Sequence, residues 1–291
     1  MPSSDTRSGD TPTNLPEQVP SEWYDRDYYL QNMEGGELFV TTGGREITPR
    51  HAKLLSMTSI KPGQRVLDVG CGRGELILQA GILGATAKGM DYSRDAISLA
   101  NDALATYDDE FRARVSFSVG DAVELSLAGE TFDRIFFIDV AEHLHQHELE
   151  RTLNTLRTLL APGGELIVHT APNKLFYKYS YPVIRALYPL IRRVFPAAAA
   201  LAATKPNWKG DRLPKNPEEG QGYNEHVHVN EQTPFTLKAT LTKCGLTSDI
   251  RMVPFLRQVD GKALRTLYTI LGTKPWSYVT SAEIVAICHA A

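Results

Sequence analysis

Cysteine is scarce in this sequence: Cys71, Cys244 and Cys288 are its three thiols among 291 residues. Thiols so few and so scattered exclude a disulfide framework and a thiolate zinc site, and they suit a reducing cytoplasm. No apolar run reaches the roughly 18 residues that a transmembrane helix needs. A basic excess is missing too. Lys and Arg number 31 against 34 Asp and Glu, a net charge of −3, which gives no global electrostatic footprint for nucleic acid. Residues 1–21, rich in Ser, Thr, Pro and acids, lack the apolar core of a signal peptide and read as a disordered leader. What is present is ordinary. With 42% hydrophobic and 22% charged residues, the chain is globular in composition and long enough to bury about three quarters of its unfolded surface without covalent staples.

The pattern changes at Trp23, where Tyr24, Tyr28, Tyr29 and Leu30 crowd together. Gly35-Gly36 then breaks the chain, and Pro49–Met57 has helical spacing. Beyond the turn Lys61-Pro62-Gly63, strands are expected at Arg65–Cys71, Thr86–Asp91, Val115–Val119, Phe132–Val140 and Glu165–Thr170. The fourth is apolar enough to be buried on both faces. Helices are expected between them: Gly74–Gly81, a helix capped by Ser93 with Ile97, Ala100 and Leu104 inward, and Glu148–Leu160, stopped by Ala161-Pro162-Gly163-Gly164. A helix at Thr233–Cys244 and a late pair of strands, Ile250–Phe255 and Glu283–Cys288, close the chain. Such alternation predicts an α/β fold with a doubly wound, mostly parallel sheet.

The sharpest local signal is Val66-Leu67-Asp68-Val69-Gly70-Cys71-Gly72-Arg73-Gly74, a buried strand running through alternate glycines into a helix. Gly70 and Gly72 allow a tight turn and a close approach of backbone to ligand, and the helix start offers free N–H groups. Asp91 ends the next strand, where a carboxylate accepts ribose hydroxyls. A nicotinamide cofactor would ask for G-x-G-x-x-G, whereas the spacing here is G-x-G-x-G. Asp68 beside the loop would repel a pyrophosphate and suits a ligand bearing an ammonium group.

In these residues the sequence resembles the class I S-adenosylmethionine-dependent methyltransferases. VLDVGCGRGE is similar to that family's glycine motif, and GMDYS to the segment carrying its ribose acid, here Asp91. Val119-Gly120-Asp121-Ala122 resembles the segment that meets the adenine, FDRIFFIDVAEHL the fourth-strand motif, and LAPGGELIVHTAPN the turn into the fifth strand. Five matches in order cover about 65–172, with a looser match over 233–291. The resemblance implies a Rossmann-like, seven-stranded sheet with S-adenosylmethionine as cofactor. It would be held by Asp68, Gly70, Cys71, Gly72, Gly74, Asp91, Tyr92, Asp121, Ala122 and Asp139. The implied layout is a single domain over 22–291, with N-terminal cap helices in 22–64, a cofactor-binding core in 65–172, an insertion or lid in 173–232 that matches nothing in the family, and sheet completion in 233–291.

The acceptor side is expected to centre on His143, just past the fourth strand, as a general base for an oxygen nucleophile; a structural helix-start residue is the plainer reading. Asp139, Glu142 and His143, spaced i, i+3, i+4, resemble the E-x-x-E-H cation motif of ubiquinone-pathway and small-RNA terminal O-methyltransferases, with Asp for the first Glu. A distant histidine, His226 or His228, would complete a site for a divalent metal. His145 and His147 read as solvated helix positions, and Cys71 as a small loop residue. Val183–Phe195 places Val183, Leu187, Leu190 or Ile191, and Val194 on one face, with Pro189 interrupting the helix. It reads as a lid whose apolar face the protein covers, or as an interfacial helix giving peripheral membrane contact. The expected function is methyl transfer to a small-molecule or lipid-linked acceptor. An N- or C-methyltransferase of the same fold is the alternative, followed by a nicotinamide oxidoreductase and a non-catalytic cofactor-binding module.

Overall fold

The computed structural model describes residues 18–125, 127, 129–194, 213, 227–254, 270 and 272–291; most of the leader, His226 and Phe255 lie outside them. Seven strands form one sheet: β1 (Arg65–Val69), β2 (Thr86–Asp91), β3 (Val115–Val119), β4 (Phe132–Ile138), β5 (Leu160–Thr170), β6 (Leu246–Pro254) and β7 (Ser281–Ala290). Their order is β3-β2-β1-β4-β5-β7-β6. The first five are mutually parallel, and β7 runs antiparallel to both β5 and β6. The chain winds outward from β1 to β3 and then crosses to β4. The ends of β1 and β4 therefore flank the switch point where such sheets open a ligand crevice.

Side chains alternate across the sheet with period two. Val66, Phe136, Ile167 and Val285 join one core cluster, while Leu67, Ile135, Val168 and Ile284 join the other. The helices covering the first cluster include α3 (Glu75–Ile82) and α4 (Arg94–Leu104), whose Ser93 side chain caps Ala96 N–H as the sequence predicts. On the other face lie α6 (Gln146–Thr158) and α8 (Pro234–Lys243). Before the sheet come α1 (Gly36–Thr42) and α2 (Pro49–Leu55), the latter started by Thr48, whose hydroxyl accepts from His51 N–H.

Several boundaries differ from expectation for local reasons. β4 stops at Ile138, because Asp139 takes a left-handed φ of 56° that no strand continues. Leu160 already pairs with Phe132 while Glu165 pairs with Arg134, so Ala161–Gly164 bulges out of β5 rather than preceding it. A short α5 (Asp109–Arg114) was not expected; Asp108 caps it by accepting from Phe111 N–H at 2.8 Å. In the insertion, α7 (Tyr181–Val194) runs through Pro189 without interruption. Its Val183, Leu187 and Leu190 are exposed rather than covered.

One buried cation ties the N-terminal helices to this scaffold. Arg73, in the glycine loop, is wholly buried. It pairs with Glu75 at 2.6 Å and donates to the carbonyls of Tyr29 at 2.5 Å and Glu34 at 2.7 Å. Arg73→Met would leave Glu75, itself buried, without its counter-charge, and two carbonyls without their donor. Breaking one side of a buried pair costs about 3–5 kcal/mol. Denaturant unfolding of the variant is expected to show a loss of that size; a loss under about 1 kcal/mol would show that water replaces the guanidinium freely.

Candidate functional site

A cavity of about 750 Å³ opens at the ends of β1 and β4. The glycine loop forms its floor. Gly70, Gly72 and Gly74 have φ of 80°, 52° and 84°, a region closed to most side chains. A Cβ placed on Gly70 would lie 2.3 Å from Val140 and one on Gly74 2.5 Å from Phe117, while one on Gly72 would sit tightly, 3.3 Å from Tyr29. These glycines serve close packing of the loop as well as any approach to a ligand. Gly70 and Cys71 N–H both donate to the Met90 carbonyl, at 2.7 and 2.9 Å, which fixes the loop against β2. The Cys71 thiol is buried and held well above its usual range, so it stays protonated.

Two acids face the loop. Asp91 accepts from Gly72 N–H and Ser93 N–H, both at 2.9 Å, and from the Tyr29 hydroxyl at 3.4 Å. Burial raises its pKa against the pull of those bonds. A carboxylate has about four acceptor sites, so room for a further donor remains. Asp68 is different. It is 2% exposed, and its Oδ1 has no hydrogen-bond partner among the described residues. Burial, followed by the charges of Asp91, Glu75 and Asp139, pushes its carboxyl far above the usual range. Further round the wall, Asp121 accepts from Gln18 Nε2 at 3.0 Å and from Val123 N–H at 2.8 Å, beside Ala122 and Tyr92.

The opposite end holds the histidines. Ligand atoms of Glu142, His143 and His228 lie within 4.8 Å of one another. Glu142 is buried, accepts from Thr170 Oγ1 at 2.8 Å and from Ala171 N–H at 3.3 Å, and is raised to about 7 by burial and by Asp139. His143 Nδ1 lies 3.2 Å from the Val227 carbonyl and 2.9 Å from the Tyr24 hydroxyl. A carbonyl only accepts, so this geometry assigns the proton to Nδ1, shared with the Tyr24 oxygen, and leaves the Nε2 lone pair available. Desolvation and His228 lower His143 to about 3, which keeps the ring neutral.

Asp139 does not join that group, contrary to the expected metal set. Its carboxylate is held by Arg50 Nη2 at 2.6 Å and by His169 Nδ1 at 2.6 Å. Desolvation opposes its charge, but these partners outweigh it and hold it well below the usual range. Glu283 closes the network, 3.2 Å from His169 Nε2 and 3.7 Å from Arg50 Nε. His145, at the start of α6, and His147 also lie outside the three-ligand group. Sequence reasoning missed Arg50, Tyr24, Tyr29, His169 and Glu283. Only the crowded tyrosines and the Thr48-Pro49 helix start marked the segments that supply three of them.

Residues 60–214 match the family described as a methyltransferase domain. Methyltransferase GfsG of Streptomyces halstedii is 33% identical over 117 residues, which is 40% of this chain and 41% of that protein. The ubiquinone biosynthesis O-methyltransferase of Rhizobium leguminosarum bv. trifolii is 36% identical over 108 residues, 37% of this chain and 40% of that one. The matched part thus spans about two fifths of these relatives. The CcbJ methyltransferase of Streptomyces caelestis shares the fold, with a TM-score of 0.53 over 92% of this chain and 100% of that one, at 17% identity.

The acid–base network sets a pH dependence of stability. Burial opposes the charge on His169, but Asp139 and Glu283 raise it from 6.5 to about 8. A group that holds its proton more tightly when folded stabilises fully below its unfolded pKa, and that contribution is lost as pH rises through the folded value. Unfolding free energy is expected to fall by on the order of 2 kcal/mol between about pH 6.5 and 8.5. His169→Asn should lose most of that slope. An equally steep decline in the variant would assign it to other groups.

Proposed function

Because the chain belongs to the methyltransferase-domain family, with the class I S-adenosylmethionine-dependent fold, we propose that it transfers a methyl group from S-adenosylmethionine to an oxygen of a small-molecule or lipid-linked acceptor. The observation that carries this reading is the partnerless Asp68 Oδ1, buried in the cavity wall beside the glycine loop. An ammonium group supplies both the charge and the donor that this oxygen lacks. Arg50, the one Lys or Arg among the described lining residues, then faces the carboxylate of the same amino-acid tail. Asp139 acts through Arg50 by holding it in place, rather than as a direct ligand contact. Asp91 takes the ribose hydroxyls, and Asp121 with Ala122 N–H takes the adenine edge. Gly70, Cys71, Gly72 and Tyr92 supply the walls, and Gly74 turns the chain behind them against Phe117. Residues 22–64 serve as a cap, since Tyr24, Tyr28 and Tyr29 line the same cavity; residues 173–232 are the insertion.

When bound, S-adenosylmethionine supplies an electrophilic methyl group on a sulfonium. The protein's main contribution is positioning, potentially about 7–11 kcal/mol of the barrier. The neutral Nε2 of His143 is placed to take the proton of an acceptor hydroxyl. The geometry of the same residues favours a second reading. Glu142, His143 and His228 offer a carboxylate and two imidazoles, a donor set that fits a divalent cation such as Mn²⁺ or Zn²⁺. Such an ion would supply Lewis acidity toward the acceptor oxygen.

Calorimetry tests the donor site. Asp91→Ala and Asp68→Asn are each expected to weaken S-adenosylmethionine binding by about 1.5–3 kcal/mol. Unchanged affinity in both, or tight NADH binding by the parent protein, sinks the assignment. For the acceptor side, mass spectrometry of a cell extract incubated with labelled S-adenosylmethionine identifies the product. His143→Ala should then keep its affinity for S-adenosylmethionine and lose about 10²–10⁴ in turnover. Titration with Mn²⁺, with and without His228→Ala, separates the two roles: the metal reading requires binding that the variant loses.

A further inference from the structure

The inner face of α7 is accounted for within the chain. Tyr181 and Tyr188 form a cluster with Phe176 and Leu213, against which Ile184 and Ala282 pack. Arg185 Nε donates to the Leu213 carbonyl at 3.0 Å. None of the described side chains of α7 lines the cavity. The outer face has a different character. Val183, Leu187 and Leu190 are 57%, 49% and 60% exposed, and Tyr179, one turn earlier, is 52% exposed. Their spacing of four, four and three residues makes a single stripe along the helix. Next to its start, Val279 accepts a hydrogen bond from Ser180 Oγ at 2.7 Å, and Trp276, on that adjoining turn, is 56% exposed. A contiguous exposed apolar surface of this kind marks an interaction site rather than ordinary surface composition.

Charge identifies what the stripe meets. Residues 174–194 carry five Lys and Arg and no Asp or Glu, in a chain whose net charge is −3. Lys178 and Arg193 are exposed at the two ends of the stripe. An apolar stripe between cations, on a segment that carries no acid, complements a surface that is anionic outside and apolar beneath. At 14 residues α7 is too short to cross a bilayer, which needs about 20, and no helix among the described residues is long and apolar enough to do so.

We propose that α7, with Tyr179, is an interfacial helix that lies on an anionic phospholipid surface. Val183, Leu187 and Leu190 enter the acyl boundary, while Lys178 and Arg193 sit at the level of the phosphates. The proposal extends the methyl-transfer reading toward a hydrophobic acceptor delivered from a membrane, and does not rest on it.

Sedimentation with vesicles tests this, using phosphatidylcholine alone and phosphatidylcholine mixed with phosphatidylglycerol, each at low and high salt. The full chain is expected to bind the mixed vesicles, with binding reduced by salt. Val183→Glu with Leu187→Glu should weaken it by at least about tenfold, and Lys178→Glu with Arg193→Glu should remove the preference for anionic lipid. These residues are exposed, so an unchanged thermal melt and S-adenosylmethionine affinity should show that the fold survives. No binding to mixed vesicles, or undiminished binding by the Val183→Glu, Leu187→Glu protein, overturns the proposal. Self-association without lipid that this double variant abolishes would also overturn it, in favour of a contact between copies of the chain. If the parent protein fails to bind S-adenosylmethionine, the methyl-transfer reading falls and the vesicle result stands by itself.

Discussion

A charge imbalance at the end of β1 is the constraint on which the site depends. Asp68, Glu75, Asp91 and Glu142 are all buried there, with Asp139 beside them. Two guanidiniums answer these acids. Arg73 is committed to Glu75, and Arg50 to Asp139 and Glu283. Asp91 is satisfied by backbone and tyrosine donors. Asp68 is left with a bare oxygen and three like charges around it. Desolvating a carboxyl without a partner is costly. A ligand that brings a cation to Asp68 removes that cost, and one that brings a pyrophosphate increases it. The imbalance that burdens the fold therefore also selects the ligand.

The same two guanidiniums hold the N-terminal helices in place. Arg73 reaches out of the glycine loop to carbonyls at Tyr29 and Glu34, and Arg50 reaches from α2 into the sheet. Tyr28 and Tyr29 line the cavity at the first of these anchors, while Tyr24 touches His143 at the other end. Order in this segment is thus coupled to the charge state of the strand ends. Tyr24, Tyr29, Phe39 and Leu54 also bury apolar surface in the core cluster, but the ion pairs that fix the segment's position have no hydrophobic periodicity to announce them.

The sheet was legible because each parallel strand carried its own apolar pattern and its own turn signals. Val66 to Gly74 was recognisable as a strand, loop and helix, and the structure places Asp68 and Asp91 at one cavity with it. What escaped notice lay in bonds between distant segments. Arg50 meets Asp139 across 89 residues, and His169 meets Glu283 across 114; neither pair has a local spacing to betray it. Asp139 looked like a first metal ligand because i, i+3, i+4 spacing assumes a helical turn. Its left-handed φ breaks that geometry and sends the carboxylate to Arg50. The exposed stripe on α7 was equally hidden. Periodicity shows that a helix has an apolar face but cannot say whether protein or something else covers it.

The two halves of the cavity are built by different means, and this separates what each can specify. The donor half rests on consecutive strand ends and a glycine loop pinned to Met90, all inside the sheet. The opposite half, the acceptor side on the proposed reading, is framed by Ala171, just past β5, and by Val227 and His228, with α7 between them in sequence. On the proposed reading, changes between Ala171 and Val227 act first on the acceptor side, and reach the donor side through Tyr24, which touches His143 and accepts at its carbonyl from Ser93 Oγ. On that view the exposed stripe of α7 belongs with acceptor choice. It lies in sequence between the segments that frame the acceptor end and faces away from the core, so on the proposed reading the surface it meets decides which acceptors arrive.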